Sequence, residues 1–374
     1  MVHILVQKKT ERESMSESIN QVEPNISNED IDSISQYMSS DAWITEHSVT
    51  KQLEEEISHF VNRRYAVAVP NGTIAIYLSL LASGLTKGKR VAVPNITMIA
   101  TINAIIWAGA DPVIVDVNER LCMSLTSLQK VEKLDGVIYV PLNGRTEEGL
   151  KIEKYCRDNE IVLIEDSAHA LGSNYENKKC GSLADLSIFS FTPHKIITMG
   201  QGGMILTDND ELYDYLFNIK TFNRSKDKSD LHEGFGLNFK ITDLQSALGL
   251  SQFKKLNQFI KIKQNISNLY SSYIDQKYFV KFLDGETPWF IDLVCKSKSQ
   301  RDGLNKYLQE KNIITRDSYP ALSSQFYLSN IEKVNLDYSE KISEKILWLP
   351  SSTNLTNTQI KNISEEINFF LNQN

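Results

Sequence analysis

Seven short apolar runs alternate with helix-length stretches between residues 65 and 207, and no other feature of the sequence restricts the fold as much. The runs are YAVAV (65–69), RVAV (90–93), PVIVD (112–116), GVIYV (136–140), IVLIED (161–166), SIFSF (187–191) and GGMILT (202–207). They are β-branched or aromatic and of strand length. Between several of them lie stretches such as TIAIYLSLLASG and TEEGLKIEKYCRDNE, which read as helices. Continuous apolar strands separated by helices specify βαβ units and a mainly parallel sheet covered on both faces. The expected fold is therefore α/β, with a seven-stranded, mainly parallel sheet in a large domain.

Two segments before the first strand, NEDIDSISQYMSSD from Asn28 and VTKQLEEEISHFVNRR, carry helical spacing. The first twenty residues are polar and aperiodic and read as a flexible or docking tail. After about residue 210 a long helical stretch, ITDLQSALGLSQFKKLNQFIKIKQNISNLYSSYI, changes the pattern. WFIDLVCK then reads as a strand, SQRDGLNKYLQEKN as a helix, NIITRD as a second strand and SEEINFFLNQN as a closing helix. The division expected is a tail over 1–20, a large domain over 21–255 and a smaller α/β domain over 256–374.

Composition removes several function classes. The 40 Lys and Arg against 47 Asp and Glu give a net charge of −7, with no basic block to neutralise a nucleic-acid backbone. No apolar run reaches the length of a membrane span, and the N-terminus lacks the apolar core of a signal peptide. Cys122, Cys156, Cys180 and Cys295 form no CxxC pair, so neither a metal site nor a disulfide framework is expected. Idle thiols of this kind fit a reducing cytoplasm.

Ligands of open α/β sheets bind beyond the carboxyl ends of the strands. After YAVAV comes Pro70-Asn71-Gly72-Thr73, opening a helix. Gly72 and Thr73 offer free amides and a hydroxyl at the positive end of a helix dipole, which suits a phosphate. The same residues are also an ordinary turn and cap. After IVLIE comes Asp166, followed by Ser167-Ala168-His169. A carboxylate at the end of a buried strand needs a cationic partner, and a protonated pyridine nitrogen would serve. A capping role fits Asp166 equally, and His169 on its own is more often a core histidine than a donor to a cofactor oxygen. After SIFSF comes Thr192-Pro193-His194-Lys195, then a turn containing Gly200, Gly202 and Gly203. A lysine desolvated beside an apolar strand has a lowered pKa and becomes a nucleophile able to form a Schiff base. Any one of these residues alone would be unremarkable, and their joint order at three strand ends is what counts.

The motifs PNGTIAIYLSLLASG, VAVPNITMIATINAIIWAGADPVIVDV, IEDSAHALGSNYENKKCGSLADLSIFSFTPHK, TMGQGGMILT and GFGLNFKITDLQSALGLSQFKKL occur in one order. Together they resemble the DegT/DnrJ/EryC1/StrS sugar aminotransferases, from about Trp43 to the C-terminus. The resemblance implies a fold-type I, pyridoxal 5′-phosphate-dependent enzyme of deoxyamino-sugar and polysaccharide biosynthesis. It also implies a homodimer with active sites at the interface. In that pattern Lys195 is the internal aldimine lysine and proton shuttle, and Asp166 pairs with the pyridine nitrogen. His169 stands near the ring hydroxyl, Gly72, Thr73 and Ser190 hold the phosphate, and Asn238 reaches the phosphate of the partner subunit. TRDSYPAL resembles the segment near the sugar nucleotide, which makes Arg316 and Tyr319 substrate-binding candidates.

Three departures stand out. Met98 occupies the position of an aromatic that stacks on the cofactor ring, and a thioether packs there with less area. PLNGR (141–145) replaces a more aromatic segment. His194 precedes the lysine, and related dehydratases carry His at the catalytic position. The spacing Lys-x-x-Thr-x-Gly-x-Gly-Gly nonetheless aligns Lys195 with the transaminase lysine. The activity implied is transfer of an amino group from glutamate to a nucleotide-linked 4-keto-6-deoxy sugar. A sugar dehydratase and a non-catalytic sugar-nucleotide-binding protein are the alternatives on the same fold.

Overall fold

A computed structural model describes residues 18–40, 43–225 and 230–373. The large sheet contains β1 (Tyr65–Val69), β2 (Arg90–Pro94), β3 (Asp111–Val115), β4 (Gly136–Tyr139) and β5 (Val162–Asp166). After a two-strand hairpin, β6 (Asn174–Tyr175) with β7 (Lys178–Lys179), it adds β8 (Leu186–Ser190) and β9 (Gly203–Thr207). The small sheet contains β10 (Ile291–Val294), β11 (Arg316–Asp317) and β13 (Ile346–Leu349), and β12 (Glu332–Val334) lies between the last two in sequence. All seven expected strands are present.

The large sheet has eight strands, not seven, in the order β1-β9-β8-β5-β4-β2-β3-β12. The added strand, β12, pairs in parallel with β3 and comes from the C-terminal part of the chain. Its sequence EKV is short and two-thirds charged, as suits an exposed edge, so it carries no apolar signal. Only β9 runs against its neighbours, pairing antiparallel with β1 and β8. The central strands are buried along nearly their whole length, which is why they read as unbroken apolar runs.

Local signals fix the helix ends. Asn71 caps the helix Gly72–Ala82, its side chain accepting the Ile74 N–H at 3.0 Å. Gly109, with φ of 82°, stops the helix Ile99–Ala108 in the left-handed region. The long stretch after residue 241 is two helices, Asp243–Lys254 and Leu256–Tyr273, meeting at Lys255.

The small sheet is antiparallel, ordered β10-β13-β11. Ile266, Tyr270, Leu293, Leu304, Leu347, Ile360 and Ile363 form the core beneath it. Its middle strand, ILWL, escaped the sequence reading, and only Arg316–Asp317 of NIITRD is strand. The expected N-terminal tail lies outside the described residues up to 17, but its end is docked. Ile19 exchanges backbone hydrogen bonds with Asn312 and Ile314, both at 2.8 Å. All four cysteines are buried and free. No helix among the described residues is long and apolar enough to cross a membrane.

Candidate active site

The carboxyl ends of β1, β5 and β8 open on one side of the sheet, and the antiparallel β9 begins there. Gly203 pairs with Val69 on one side and Ser190 on the other. A Cβ on Gly203 would lie 2.5 Å from the Asn71 carbonyl, so the turn into the helix Gly72–Ala82 closes directly over a bare backbone. A Cβ on Gly72 would meet Ser190 Cβ at 3.0 Å. Gly72, Thr73 and Ser190 are thereby gathered at one helix N-terminus. Ile74 N–H goes to the cap, and the first intrahelical bond is Ala75 N–H to Asn71 O. The amides of Gly72 and Thr73 precede it and point out of the helix.

Asp166 ends β5 and is buried. Thr101 donates its hydroxyl to Asp166 Oδ2 at 2.8 Å, and the Ala168 N–H reaches Oδ1 at 3.3 Å. Burial raises the Asp166 pKa above its ordinary value, against the opposing effects of the Thr101 hydroxyl and the charge on Lys195. Three residues on, His169 is 3 % exposed, and its Nδ1 has no hydrogen-bond partner among the described residues. Burial, then the charges of Lys195 and Arg316, hold its pKa well below the usual value, so the ring is neutral near pH 7.

Lys195 follows β8 in the Thr192–Gly200 loop. Burial pulls its pKa down to about 7; Asp166 works against that shift and Arg316 adds to it. Near neutral pH a large share of such amines is unprotonated and nucleophilic. His194, one residue earlier, is exposed.

A residue that the sequence reading passed over ties these groups together. Trp289, just before β10, stacks on His169 with ring centroids 3.9 Å apart. Lys195 Nζ lies 4.0 Å from the centre of the same indole, whose Nε1–H donates to His194 O at 2.7 Å. Trp289 was visible only as the first residue of a strand-like run, WFIDLVCK, and nothing in that pattern distinguishes a site residue from core. Arg316 and Tyr319 lie beside this group. Tyr319 is 6.0 Å from His169 between ring centroids, and the Arg316 guanidinium is 5.9 Å from the Tyr319 ring.

Two further candidates are exposed to solvent. Met98 is 42 % exposed and caps the helix Ile99–Ala108, its sulfur accepting the Ala100 N–H at 3.0 Å. Asn238 is exposed, in an isolated bridge with Thr221. The segment PLNGR runs from the end of β4 into the body of the protein, where Asn143 and Arg145 are fully buried.

Comparison with known proteins agrees with the geometry. The model of the DegT/DnrJ/EryC1/StrS aminotransferase family matches residues 24–368. The chain is 32 % identical to the GDP-perosamine synthase of Escherichia coli O157:H7, over 88 % of this chain and 92 % of that protein. It is 30 % identical to the GDP-perosamine synthase of Vibrio cholerae, over 86 % and 90 % respectively. Among solved structures, PseC of Helicobacter pylori, an aminotransferase of pseudaminic acid biosynthesis, superposes with a TM-score of 0.89 at 22 % identity, covering 96 % of this chain and 100 % of that one. An aminotransferase from Psychrobacter cryohalolentis superposes with a TM-score of 0.86 at 22 % identity, covering 94 % and 98 %. With a family match across nearly the whole sequence, and a lysine and an aspartate at the strand ends, this chain belongs to the DegT/DnrJ/EryC1/StrS aminotransferase family.

Proposed function

We propose that the protein is a pyridoxal 5′-phosphate-dependent aminotransferase that moves the amino group of glutamate onto the ketone of a nucleotide-linked 4-keto-6-deoxy sugar. The observation that carries this reading is the amine of Lys195, depressed to about 7 and facing a buried Asp166 across a shared cluster. Similarity to two perosamine synthases supports amination at C4.

The donor set suits the cofactor. The outward amides of Gly72 and Thr73, with the Ser190 hydroxyl against them, would receive its phosphate. The buried carboxylate of Asp166 would meet the pyridine nitrogen, and the unpartnered Nδ1 of neutral His169 would face the ring hydroxyl. When bound, the cofactor supplies a carbonyl that captures the amino group and an electron sink for the substrate carbanion.

The protein's own residues do the rest. As a neutral amine, Lys195 would take the proton from the donor's α-carbon and later return one to the sugar carbon. Asp166 keeps its charge through the Thr101 hydroxyl bond and favours the cationic pyridine. Trp289 holds the His194–Lys195 backbone through its indole N–H, limiting the sweep of the lysine. Arg316 offers a positive charge to the anionic part of either substrate.

A cytoplasmic homodimer with shared sites completes the reading. Trp43, Leu231 and Phe235 are 70–76 % exposed, which suits burial against a second copy, and Asn238 lies close to the last two in sequence. The test is an absorbance spectrum with pyridoxal phosphate, before and after glutamate, for wild type and Lys195→Ala. A visible band of lysine-bound cofactor, lost with glutamate and missing in the variant, is expected. Its absence in wild type would exclude the aminotransferase and leave a binding protein on the same fold.

A further inference from the structure

The cross-strand register sets three side chains in one row on the small sheet. Asp292 of β10 and Arg316 of β11 both pair with Trp348 of β13, so all three project from the same face. Asp292 accepts the Trp348 Nε1–H at 2.7 Å and both contacts of the Asn143 amide at 3.0 Å. Arg145 reaches the same carboxylate at 2.6 Å, and both charged side chains are 0 % exposed. Arg145 also donates to the carbonyls of Val280 at 2.7 Å and Lys281 at 3.2 Å, and its guanidinium lies 4.1 Å from the Phe282 ring centre.

The far side of this row is the site. Trp348 is fully buried, and its ring lies 5.5 Å beneath the Arg316 guanidinium and 4.8 Å from Tyr319, edge to face. Among the described residues the Arg316 side chain has no ion pair or hydrogen bond, and its guanidinium lies over the rings of Tyr319 and Trp348. The indole N–H on Asp292 adds a directional bond to the packing of Phe290, Trp289 and Tyr319 around that floor. A buried carboxylate holding four contacts does not swing, because any departure leaves a charge unpaired in the interior.

We propose that Asp292, clamped by Arg145, is a positioning residue for Arg316, acting through Trp348, and that Arg316 receives the carboxylate or phosphate of an incoming substrate. This rests on the aminotransferase reading of the site. It also gives PLNGR a role: Asn143 and Arg145 bring the large sheet's β4 loop onto the row that aims Arg316. Neither residue touches substrate in this scheme.

The test combines Arg145→Met with Asp292→Leu, replacing the ion pair by apolar groups of similar volume, a change that buried pairs commonly tolerate. Trp348→Phe, which keeps a ring and loses the N–H, guards against a folding failure of the double variant. Binding of glutamate and of GDP, a nucleoside diphosphate probe, is measured by calorimetry alongside the spectrum of the cofactor-loaded protein. The expected result is about tenfold weaker binding of one of the two probes, with the other and the spectrum unchanged. Glutamate as the affected probe identifies the carboxylate, and GDP identifies the phosphate. In an Arg316→Gln background the same substitutions should cause no further loss. Unchanged affinity for both probes, or equal losses with and without Arg316, would overturn the proposal. Loss of the spectrum in the variants would mark a structural role only and overturn it as well. A wild type without the lysine-bound band would remove the aminotransferase reading first.

Discussion

The amine of Lys195 lies 4.0 Å from the centre of the Trp289 indole, which also meets the rings of His169 and Phe290 and donates to the carbonyl of His194. A cation over an indole is stabilised by roughly 0.5–2 kcal/mol. Trp289 therefore favours the protonated amine and opposes the burial that drives the pKa down. Trp289→Leu should lower the Lys195 pKa further, by roughly 0.5–1 pH unit. Trp289→Phe should fall between, keeping a ring but freeing the His194 carbonyl. The pH dependence of acetylation at Lys195, followed by mass spectrometry in the cofactor-free protein, measures the shift directly. An unchanged midpoint in Trp289→Leu would show that the indole is only packing.

Asp166 pulls the Lys195 pKa upward, so Asp166→Asn should depress it below the present value of about 7. The same substitution removes the carboxylate proposed to meet the pyridine nitrogen. Turnover should fall roughly 10²–10³-fold, the scale of losing one preorganised electrostatic contact. Thr101→Val removes the hydroxyl bond to Oδ2 and should cost less. Single-turnover kinetics with glutamate would rank the three proteins. Equal rates in Asp166→Asn and wild type would leave Asp166 only a structural role, accepting the Thr101 hydroxyl and the Ala168 N–H.

A side chain at Gly72 would crowd Ser190, because a Cβ there would stand 3.0 Å from Ser190 Cβ. Gly72→Ala should cost about 1–3 kcal/mol in urea unfolding, the usual range for overpacking. Adding Ser190→Gly should return part of that stability by clearing the contact. It should not return phosphate affinity, since the serine hydroxyl is lost. Recovery of both together would mean the two residues meet only as packing.

The fold was far more legible in the sequence than the site. Buried parallel strands must be apolar on both faces, so YAVAV or SIFSF announces itself. An edge strand such as Glu332–Val334 need not be apolar, and it stayed hidden. The strand Ile346–Leu349 is apolar but only four residues long and follows a charged helix, so its period was too short to read. Lys195, Asp166 and the Gly72 turn stand out as candidates because each lies at or soon after the end of a recognisable strand. Trp289, Arg145 and Asp292 act across the two sheets, and their partners lie about 95 to 150 positions away in the chain. Contacts of that range leave no local pattern.

Lys263 gives the last prediction. It is buried on the helix Leu256–Tyr273, donates to Ser351 O at 2.6 Å, and has no carboxylate within ion-pair distance among the described residues. Burial alone lowers its pKa from 10.5 to about 7. The sign follows from proton counting. Between pH 7 and 10.5 the unfolded chain holds the lysine proton and the folded chain has released it, so stability from this group rises with pH across that window. Below about pH 7 the full penalty of burial is present, and above 10.5 none remains. The slope is at most about 1.4 kcal/mol per pH unit. Lys195 contributes a slope of the same sign in the cofactor-free protein, so the comparison belongs in a Lys195→Ala background. There, Lys263→Met should flatten the stability curve over this range, measured by urea unfolding at several pH values. The cost of leaving the Ser351 carbonyl without its donor does not depend on pH and shifts the whole curve without tilting it. A slope as steep in Lys263→Met as in its parent would show that the lysine keeps its proton in the folded state.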